Sequence, residues 1–577
     1  MDFLNSTSFT LLSFVLFTVL VAVISYFKSK GVNENAGSGY YLAGRSLSGI
    51  VIAGSLIMTD LSAVQLIGNN GQSVNVGMGV FAAQGLGFSG MILAAVFLIP
   101  KYLKAGISTM PEFYEIRFDK FTRNLVTCLM IINYSFIMIP SALYAGAQVF
   151  INIFGVDQAL HLSYFETMVV LCIVIALIGS IYAIFGGLKA IAVSDTINGV
   201  GMLIGGILVT IFALLFLSST LGGNGTLLDG LDKFLHTDPA MMNAWNEATS
   251  NEPWWPWPVI FTGLTINNLY YWGCDQAIVQ RAFGAKSMAH AQKGMIYAGL
   301  LTLITPFFLV FPGIIAKFVF PGTDFSSNGD IAFPMLIAQT LPKPILGFFA
   351  ACMFGAILST FNSMLNSACT IFAMNIYKDG FNKNASDRQI IKAGKIFGTV
   401  VAICATAISP FLAYVDGIFT WMNAAIGLFS MPILVLTLFA IFSKRAPRYV
   451  GKVMIPIHIV LYILLYYILP NFIPALGKVH YMYWYVVLFA VDFLIAWTMT
   501  KLHPLQQAFI MPENAPQGMD LSPWKYRKHA IAATLAITAI IYILFSPLCF
   551  GKSEQTTWER HQQSQATAME VSEQSLS

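Results

Sequence analysis

Three clusters of polar side chains interrupt stretches of the sequence that are otherwise apolar. The first cluster comprises Thr59, Asp60, Ser62 and Gln65. The second comprises Thr265, Asn267, Asn268, Tyr270 and Tyr271, and the third comprises Ser359, Thr360, Asn362, Ser363, Asn366 and Ser367. Hydroxyl and carbonyl oxygens suit an alkali cation, because a single positive charge needs no cage of carboxylates. Polar residues that bond across packed helices are the alternative explanation.

The composition of the chain is that of a membrane protein. Of the 577 residues, 57% are hydrophobic and 10% are charged, whereas a soluble domain has about 25% charged residues. Apolar stretches long enough to cross a hydrocarbon core of about 30 Å recur along nearly the whole chain. We predict an all-α protein with fourteen transmembrane helices, which begin near residues 8, 47, 78, 124, 162, 190, 257, 293, 340, 390, 417, 450, 479 and 529.

Basic residues are distributed unevenly between the two sides of this predicted arrangement. When successive connections are assigned to opposite sides, one side has 25 of the 31 Lys and Arg residues, including Arg281, and the other has 6. Cytoplasmic connections are the ones enriched in Lys and Arg, so we expect both termini outside a plasma (inner) membrane. Because one missed helix would scramble the alternation, the charge pattern supports the count of fourteen.

The first two polar clusters lie in the second and seventh predicted helices, which are five helices apart. This spacing is typical of two inverted five-helix repeats, in which the first helix of each repeat is broken near the bilayer midplane and lines a site. We therefore divide the chain into an extra N-terminal helix and loop (1–46), a first repeat (47–217), an extracellular loop (218–256), a second repeat (257–443), three further helices (444–550) and a disordered polar tail (551–577).

The longest soluble connection runs from about Ser218 to Pro258. It ends in the run Pro253–Pro258, which contains three tryptophans. We interpret this run as an aromatic anchor at the membrane interface, and a binding lid is the alternative.

The sequence lacks the motifs of common enzyme classes. It has no complete phosphate-binding loop, no HExxH pair and no GxSxG elbow. Neither the long loop nor the tail is large enough to be a catalytic domain. We therefore do not expect an enzyme, and a net charge of only +4 gives no reason to expect a nucleic-acid partner.

Several motifs match one known family of membrane proteins. They are Asn268–Gly273 (NLYYWG), Gln276, Gln280 and Arg281, the positions 285–287 and 291–294, and the stretches 41–46 (YLAGRS) and 363–367 (SMLNS). By these motifs the chain resembles the sodium:solute symporter family, most closely its sodium/sugar (glucose/galactose) cotransporters, over roughly residues 8 to 550. The resemblance implies a LeuT-like fold, with five-plus-five inverted repeats and a broken first helix in each.

The resemblance also implies a sodium site and a route for the ion. Carried over position by position, the sodium ligands are the carbonyls of Met58, Leu61 and Ala356 and the hydroxyls of Ser359 and Thr360. Asp195 matches an acid on the sodium exit route. A salt bridge between Asp195 and Lys189 at a helix end is an equally weighted alternative.

The sugar site of the resembling transporters maps onto Gln65, Gln84, Asn268 and Asn423, with Tyr271 as an inner gate. Amides suit hydroxyl-rich ligands, since each donates and accepts hydrogen bonds. Where the bacterial galactose symporter has Asn, Glu and Lys, this chain has Asp60, Gln84 and Thr302, and Asn423 is shorter than the usual Gln. These changes leave the solute open, because a site built for specific hydroxyls rejects analogues without them by roughly 10⁴.

The expected function is secondary active symport by alternating access, in which inward sodium movement drives uptake of a small polar solute, above all a monosaccharide or related polyol. The alternatives are a non-sugar solute, proton coupling through Asp60, and a sensor or channel on the same fold. Asp60 is either protonated, and donates to a solute oxygen, or ionised beside a cation. We favour the protonated form because the neutral sodium site is intact. The sequence gives no oligomeric state.

Overall fold

The structure is a computed structural model that describes residues 7–29, 37–251, 253–325, 329–415 and 418–576. Within these ranges the regular elements are helices, accompanied by three isolated β-bridges. Apolar side chains such as Leu16, Ile181 and Ile403 are 61%, 64% and 65% exposed, as on helices that face lipid. The predicted all-helical class is confirmed.

Eleven helices of the described part are long and apolar enough to cross a membrane. Their bounds are Ser8–Lys28, Gly79–Ala105, Lys120–Phe154, Tyr164–Ile181, Gly187–Thr220, Lys343–Phe381, Asp387–Tyr414, Ile418–Phe442, Val450–Asn471, Tyr481–Leu502 and Arg527–Leu544. Two bent pairs of shorter helices bring the total to 13, namely Gly49–Asp60 with Ala63–Val76, bent by 54°, and Met288–Thr302 with Pro306–Val319, bent by 47°. Short helices in the connections include Gly37–Leu42, Met110–Arg117, Val156–Leu160, Leu227–His236 and Ala332–Thr340.

The predicted helix that begins near residue 257 is divided into pieces. It comprises Trp257–Phe261, Gly263–Cys274 and Gln276–Phe283, each shorter than the roughly 20 residues that span a bilayer. We call the last two pieces the second broken helix, and Gly49–Asp60 with Ala63–Val76 the first broken helix. Together with the 13 spans, the second broken helix accounts within the described residues for the fourteen predicted helices.

Both broken helices restart at a polar capping residue. The Ser62 hydroxyl accepts from the amide of Gln65 at 3.3 Å. The carboxylate of Asp275 accepts from the amide of Ala277 at 2.8 Å and from the hydroxyl of Tyr134 at 2.9 Å. Such caps satisfy the first amides of the new helix, whereas the last carbonyls of the preceding half lack intrahelical partners. The breaks therefore offer carbonyl oxygens to a ligand.

A turn at Gly187 separates two spans within the long helix Tyr164–Thr220. Gly187 has φ 58°, a conformation that favours glycine, and the carbonyl oxygen of Tyr40 lies 3.1 Å from the position that a Cβ would occupy. Asp195 follows about two helical turns later. The turn thus sets where Asp195 enters the bundle.

The predicted disordered tail at 551–577 is wrong for most of its length. The structure has a helix at Thr557–Leu576, which we call the C-terminal helix. Trp558 is only 6% exposed, and Arg560 donates to both carboxylate oxygens of Asp238 at 2.9 and 3.0 Å. The first turn of this helix packs against the rest of the chain. The prediction of disorder rested on composition, which does not reveal such contacts. The other predicted domain boundaries stay predictions.

Candidate functional site

One cavity has walls from both broken helices. Its volume of about 110 Å³ exceeds the roughly 10–15 Å³ that one water needs, so it has room for a small solute. Polar residues in its wall are Thr59, Asp60, Ser62, Gln65, Asn267, Asn268, Tyr271, Thr302, Thr360 and Asn423. Apolar residues in its wall include Met138, Trp255, Leu264, Trp272, Phe419, Met422 and Ile426. Apolar walls with a few convergent polar groups are typical of small-molecule sites.

The structure brings together six of the seven residues predicted to bind the solute. They are Asp60, Gln65, Asn268, Tyr271, Thr302 and Asn423. These residues come from both broken helices and from the spans at Met288–Thr302 and Ile418–Phe442, which are far apart in the sequence. The side chain of the seventh, Gln84, lies outside the described residues. The binding roles stay a prediction.

Several polar atoms of the cavity wall are buried and have no hydrogen-bond partner among the described residues. They are Oε1 of Gln65, Oδ1 of Asn267 and Nδ2 of Asn268. A buried polar group without a partner is costly, and it is most often explained by a water, an ion or a ligand. The set contains both acceptors and a donor, and a hydroxyl group is chemically able to pair with either kind.

Three further polar groups of the wall are already partly bonded. Gln65 Nε2 donates to Asp60 Oδ1 at 3.3 Å. The hydroxyl of Thr302 donates to the carbonyl of Gly299 at 2.7 Å, and the amide of Asn423 donates to the carbonyl of Phe419 at 2.8 Å. Because these donors are occupied within the protein, Thr302 and Asn423 offer a solute mainly oxygen acceptors.

The predicted sodium ligands lie where the first broken helix meets the helix Lys343–Ile371. The hydroxyl of Thr59 is 3.3 Å from that of Ser359 and 3.3 Å from that of Ser363. Met58 and Leu61, on either side of Thr59, are fully buried at this contact. Their carbonyls lie at the C-terminal end of the helix Gly49–Asp60, where carbonyls lack amide partners within the helix.

The other two predicted sodium ligands contact each other. The hydroxyl of Thr360 donates to the carbonyl of Ala356 at 3.2 Å, and Thr360 also lines the cavity. Both residues are buried, with exposures of 5% and 0%. The donor set of carbonyls and hydroxyls therefore fits a hard monovalent cation beside the solute cavity. The assignment of sodium to these atoms stays a prediction.

Arg281 is a residue that sequence reasoning placed wrongly. The charge pattern predicts it in a cytoplasmic connection, but its side chain is 1% exposed and lies in the polar interior. Its guanidinium donates to the hydroxyls of Ser55 at 2.6 Å, Thr59 at 2.6 Å and Ser363 at 2.5 Å. The signal available in the sequence is an Arg only six residues after the Asp275 break.

Asp195 pairs with Arg281 rather than with Lys189. Its carboxylate lies 3.5 Å from the guanidinium of Arg281 and accepts from the hydroxyl of Ser55 at 2.7 Å. The proposed helix-end salt bridge with Lys189 is therefore wrong. Asp195 faces the same polar interior as Thr59, which is consistent with a position on an ion route.

The tryptophan run after the long loop divides between buried and exposed rings. Trp254 and Trp255 are 4% and 3% exposed, whereas Trp257 is 49% exposed. An interfacial anchor is therefore the wrong interpretation for the first two, because they pack inside the protein. Trp255 lines the cavity. It is not among the predicted site residues, because the sequence analysis names a binding lid only as the alternative to an interfacial anchor for this run.

The arrangement is suited to binding rather than to covalent chemistry. In the described part of the chain, no group of three or more His, Cys, Asp and Glu residues is placed to hold a metal ion. Among the described residues of the cavity wall, Asp60 is the one carboxylate, so these residues offer no pair of carboxylates for acid and base catalysis.

The chain is similar in sequence to known transport proteins. Residues 40–451 match the family model described as "Sodium:solute symporter family". The chain is 35% identical over 538 residues to "Uncharacterized symporter YidK" of Escherichia coli (strain K12), which covers 93% of this chain and 90% of that protein. It is 31% identical over 460 residues to "Sodium/glucose cotransporter" of Vibrio parahaemolyticus, covering 75% of this chain and 82% of that protein.

The fold is also similar to that of a solved structure. The structure is that of a Na⁺-coupled sialic acid symporter in a substrate-bound outward-open state, with a TM-score of 0.70 and 20% identity over 86% of this chain and 99% of that chain. At this level of identity the likeness concerns the fold alone. The LeuT-like fold expected from the sequence is confirmed.

Proposed function

The chain belongs to the sodium:solute symporter family, and we propose that it takes up a monosaccharide or related polyol together with sodium. Membership of this family makes it an integral membrane transporter coupled to sodium rather than an enzyme. The sugar assignment is supported by the sodium/glucose cotransporters among its relatives.

The observation that carries the solute class is the set of unpartnered amide atoms in the cavity wall. Gln65 and Asn267 present oxygen acceptors, and Asn268 presents a donor. A polyhydroxylated solute donates to the first two and accepts from the third, because each hydroxyl does both. Tyr271 adds a flat apolar ring on which a sugar face packs.

Sodium supplies the driving force in this proposal. We place it at the carbonyls of Met58, Leu61 and Ala356 and the hydroxyls of Ser359 and Thr360, next to the cavity. Sodium bound from outside favours the outward-open state, and the solute then favours closure, since each ligand shifts the population toward the state that binds it better. Rocking of the repeats exposes both to the cytoplasm. The uneven distribution of Lys and Arg between the two sides supports an orientation with both termini outside the plasma membrane.

Asp60 favours a second candidate, a sodium symporter for a non-sugar solute. Its carboxylate lines the cavity and accepts a hydrogen bond from the amide of Gln65. If Asp60 is ionised, it selects a solute with a positive group or supports proton coupling. If it is protonated, it donates to a hydroxyl oxygen, which is the form we favour.

Binding of labelled solutes to purified protein tests the proposal. We expect sodium-dependent binding of a hexose or of myo-inositol. Asn268→Ala should lower the affinity by about tenfold or more, because the solute hydroxyl that bonds the Asn268 amide is then buried without a partner. Asn471→Ala is the matched control, since the exposed Asn471 amide bonds the nearby carbonyl of Tyr467. Sodium-dependent binding of an amine and of no polyol would favour the second candidate.

A further inference from the structure

Trp255 lies in the wall of the solute cavity with an unused hydrogen-bond donor. Its side chain is 3% exposed, and its indole Nε1 is buried without a partner among the described residues. Its ring packs 5.2 Å from the ring of His480 and 6.1 Å from that of Tyr481. An indole N–H can only donate, so the group that satisfies it must be an acceptor.

The preceding residue, Trp254, is fixed by the C-terminal helix. Trp254 Nε1 donates to the hydroxyl of Thr557 at 3.1 Å, and its ring lies 5.2 Å from that of Trp558 and 4.4 Å from that of His561. The same Thr557 hydroxyl donates to the carbonyl of Val76 at 3.3 Å. Val76 ends the first broken helix, so Thr557 connects that helix to the tryptophan run.

Two further contacts join the C-terminal helix, and Thr556 directly before it, to the long loop. The hydroxyl of Thr556 donates to the carboxylate of Glu247 at 2.8 Å, and Arg560 pairs with Asp238 at 2.9 Å. Within the loop, the amide of Asn246 donates to the carbonyl of Trp255 at 3.3 Å. The position of Trp255 thus depends on a loop that the C-terminal helix contacts at several points.

We propose that Trp255 covers the bound solute and donates its indole N–H to a solute oxygen, and that the C-terminal helix positions Trp255 through Trp254. This inference rests on the proposed function, because it assigns a specificity-determining contact to the same cavity. It explains why the buried donor of Trp255 is unpaired and why a polar tail folds back onto the loop. Because Trp254 and Trp255 are adjacent, a shift of one displaces the backbone of the other.

Replacement of the indole by a ring without a donor tests the contact. For Trp255→Phe we expect the KM for the solute to rise by about 3- to 10-fold, as for the loss of one hydrogen bond, with an unchanged sodium dependence at saturating solute. Trp257→Phe is the matched control, because Trp257 belongs to the same run but is 49% exposed. An unchanged KM in Trp255→Phe would overturn the contact.

The role of the C-terminal helix is tested at Thr557. Thr557→Ala removes the acceptor of Trp254, and we expect it to raise the solute KM in the same direction as Trp255→Phe, with less than additive effects when the two are combined. Thr567→Ala is the control, since Thr567 is an exposed position of the same helix whose hydroxyl bonds the carbonyl of Gln563. Additive effects, or a KM that only Trp255→Phe changes, would overturn the positioning role.

Uptake by the unaltered protein separates the failure of this inference from failure of the proposed function. Proteoliposomes with the full chain are assayed first against hexoses, myo-inositol and non-sugar solutes. If sodium-dependent uptake is present and Trp255→Phe matches the unaltered protein, the inference alone fails. If no solute shows sodium-dependent uptake, the proposed function fails and the inference falls with it.

Discussion

The carboxylate of Asp195 and the guanidinium of Arg281 lie 3.5 Å apart, with the hydroxyl of Ser55 bridging them. Their side chains are 3% and 1% exposed. Arg281 also donates to Thr59 and Ser363, so one internal cation joins both broken helices to the helix that carries the predicted sodium hydroxyls. The predicted ion route therefore passes a fixed positive charge.

Loss of Arg281 should destabilise the protein strongly. Arg281→Gln leaves Asp195 buried without its cation, which costs about 3–5 kcal/mol of unfolding free energy. Thermal unfolding followed by tryptophan fluorescence in detergent measures the effect. The exposed pair of Arg560 with Asp238 provides the control, and Arg560→Gln should cost at most about 1 kcal/mol.

The same pair should show coupling in a double-mutant cycle. Once Asp195→Asn has removed the carboxylate charge, Arg281→Gln should cost less than it does alone, because residues in contact are not additive. Additive losses in the two single variants and the double variant would contradict the pairing of Asp195 with Arg281.

Two hydroxyls should govern the response to sodium. Ser359→Ala and Thr360→Ala each remove one predicted sodium ligand, so the sodium concentration for half-maximal uptake should rise by about 5- to 30-fold. In Ser359→Ala the solute KM at saturating sodium should change little. Thr399→Ala is the control, because its exposed hydroxyl bonds the carbonyl of Lys395 within its own helix. Equal sodium responses in all three variants would refute the predicted site.

Asp60 should behave as a neutral donor. In Asp60→Asn an amide replaces the protonated carboxyl beside Gln65, so sodium-driven uptake and its pH dependence should both persist. Uptake measured against external pH with a constant sodium gradient checks this expectation. Sodium-driven uptake that loses all its pH dependence in the variant would instead support proton coupling through Asp60.

A buried pair in the later helices should hold the span that carries Asn423. His458 lies 2.8 Å from the carboxylate of Asp492, and its Nε2 lies 3.0 Å from the carbonyl of Gly427. Since that carbonyl can only accept, Nε2 must donate. His458→Phe should therefore lower the melting temperature and raise the solute KM.

The paired change separates charge from packing. In His458→Phe combined with Asp492→Leu, no charge is left unpaired, so most of the lost stability should return. His503→Phe, at an exposed position, is the control. A melting temperature that falls equally in the single and double variants would show that the charge of Asp492 is not the cause.

Hydropathy and charge patterns were sufficient to predict the helices, because a bilayer imposes a minimum apolar length on every span. The clusters around Asp60 and Asn268 also predicted which two helices are broken, because polar residues are costly in a helix that faces lipid. Six predicted solute residues do line one cavity. The sequence was therefore sufficient for features that local composition determines, namely the helices and the polar side chains inside them.

The rest depended on contacts between distant residues. Arg281 looks like a loop charge in the sequence, and its burial is explained by partners distant in the sequence, such as Asp195, 86 positions away, and Ser363. The ring of Trp558 packs against that of Trp254, which helps to hold the C-terminal helix against the long loop. No local pattern in the sequence indicates that these two distant rings are in contact. For the tryptophan run we preferred an interfacial anchor to a binding lid, because hydropathy does not reveal that Trp254 and Trp255 pack inside the protein.

Solute uptake with and without an inward sodium gradient tests the central claim most directly. Proteoliposomes are offered labelled hexoses, myo-inositol and non-sugar solutes, with the gradient imposed or collapsed. We predict that at least one hexose or polyol accumulates only while the gradient is present. Gradient-dependent accumulation of a non-sugar solute alone would contradict the sugar assignment, and uptake of every solute without regard to sodium would contradict symport itself.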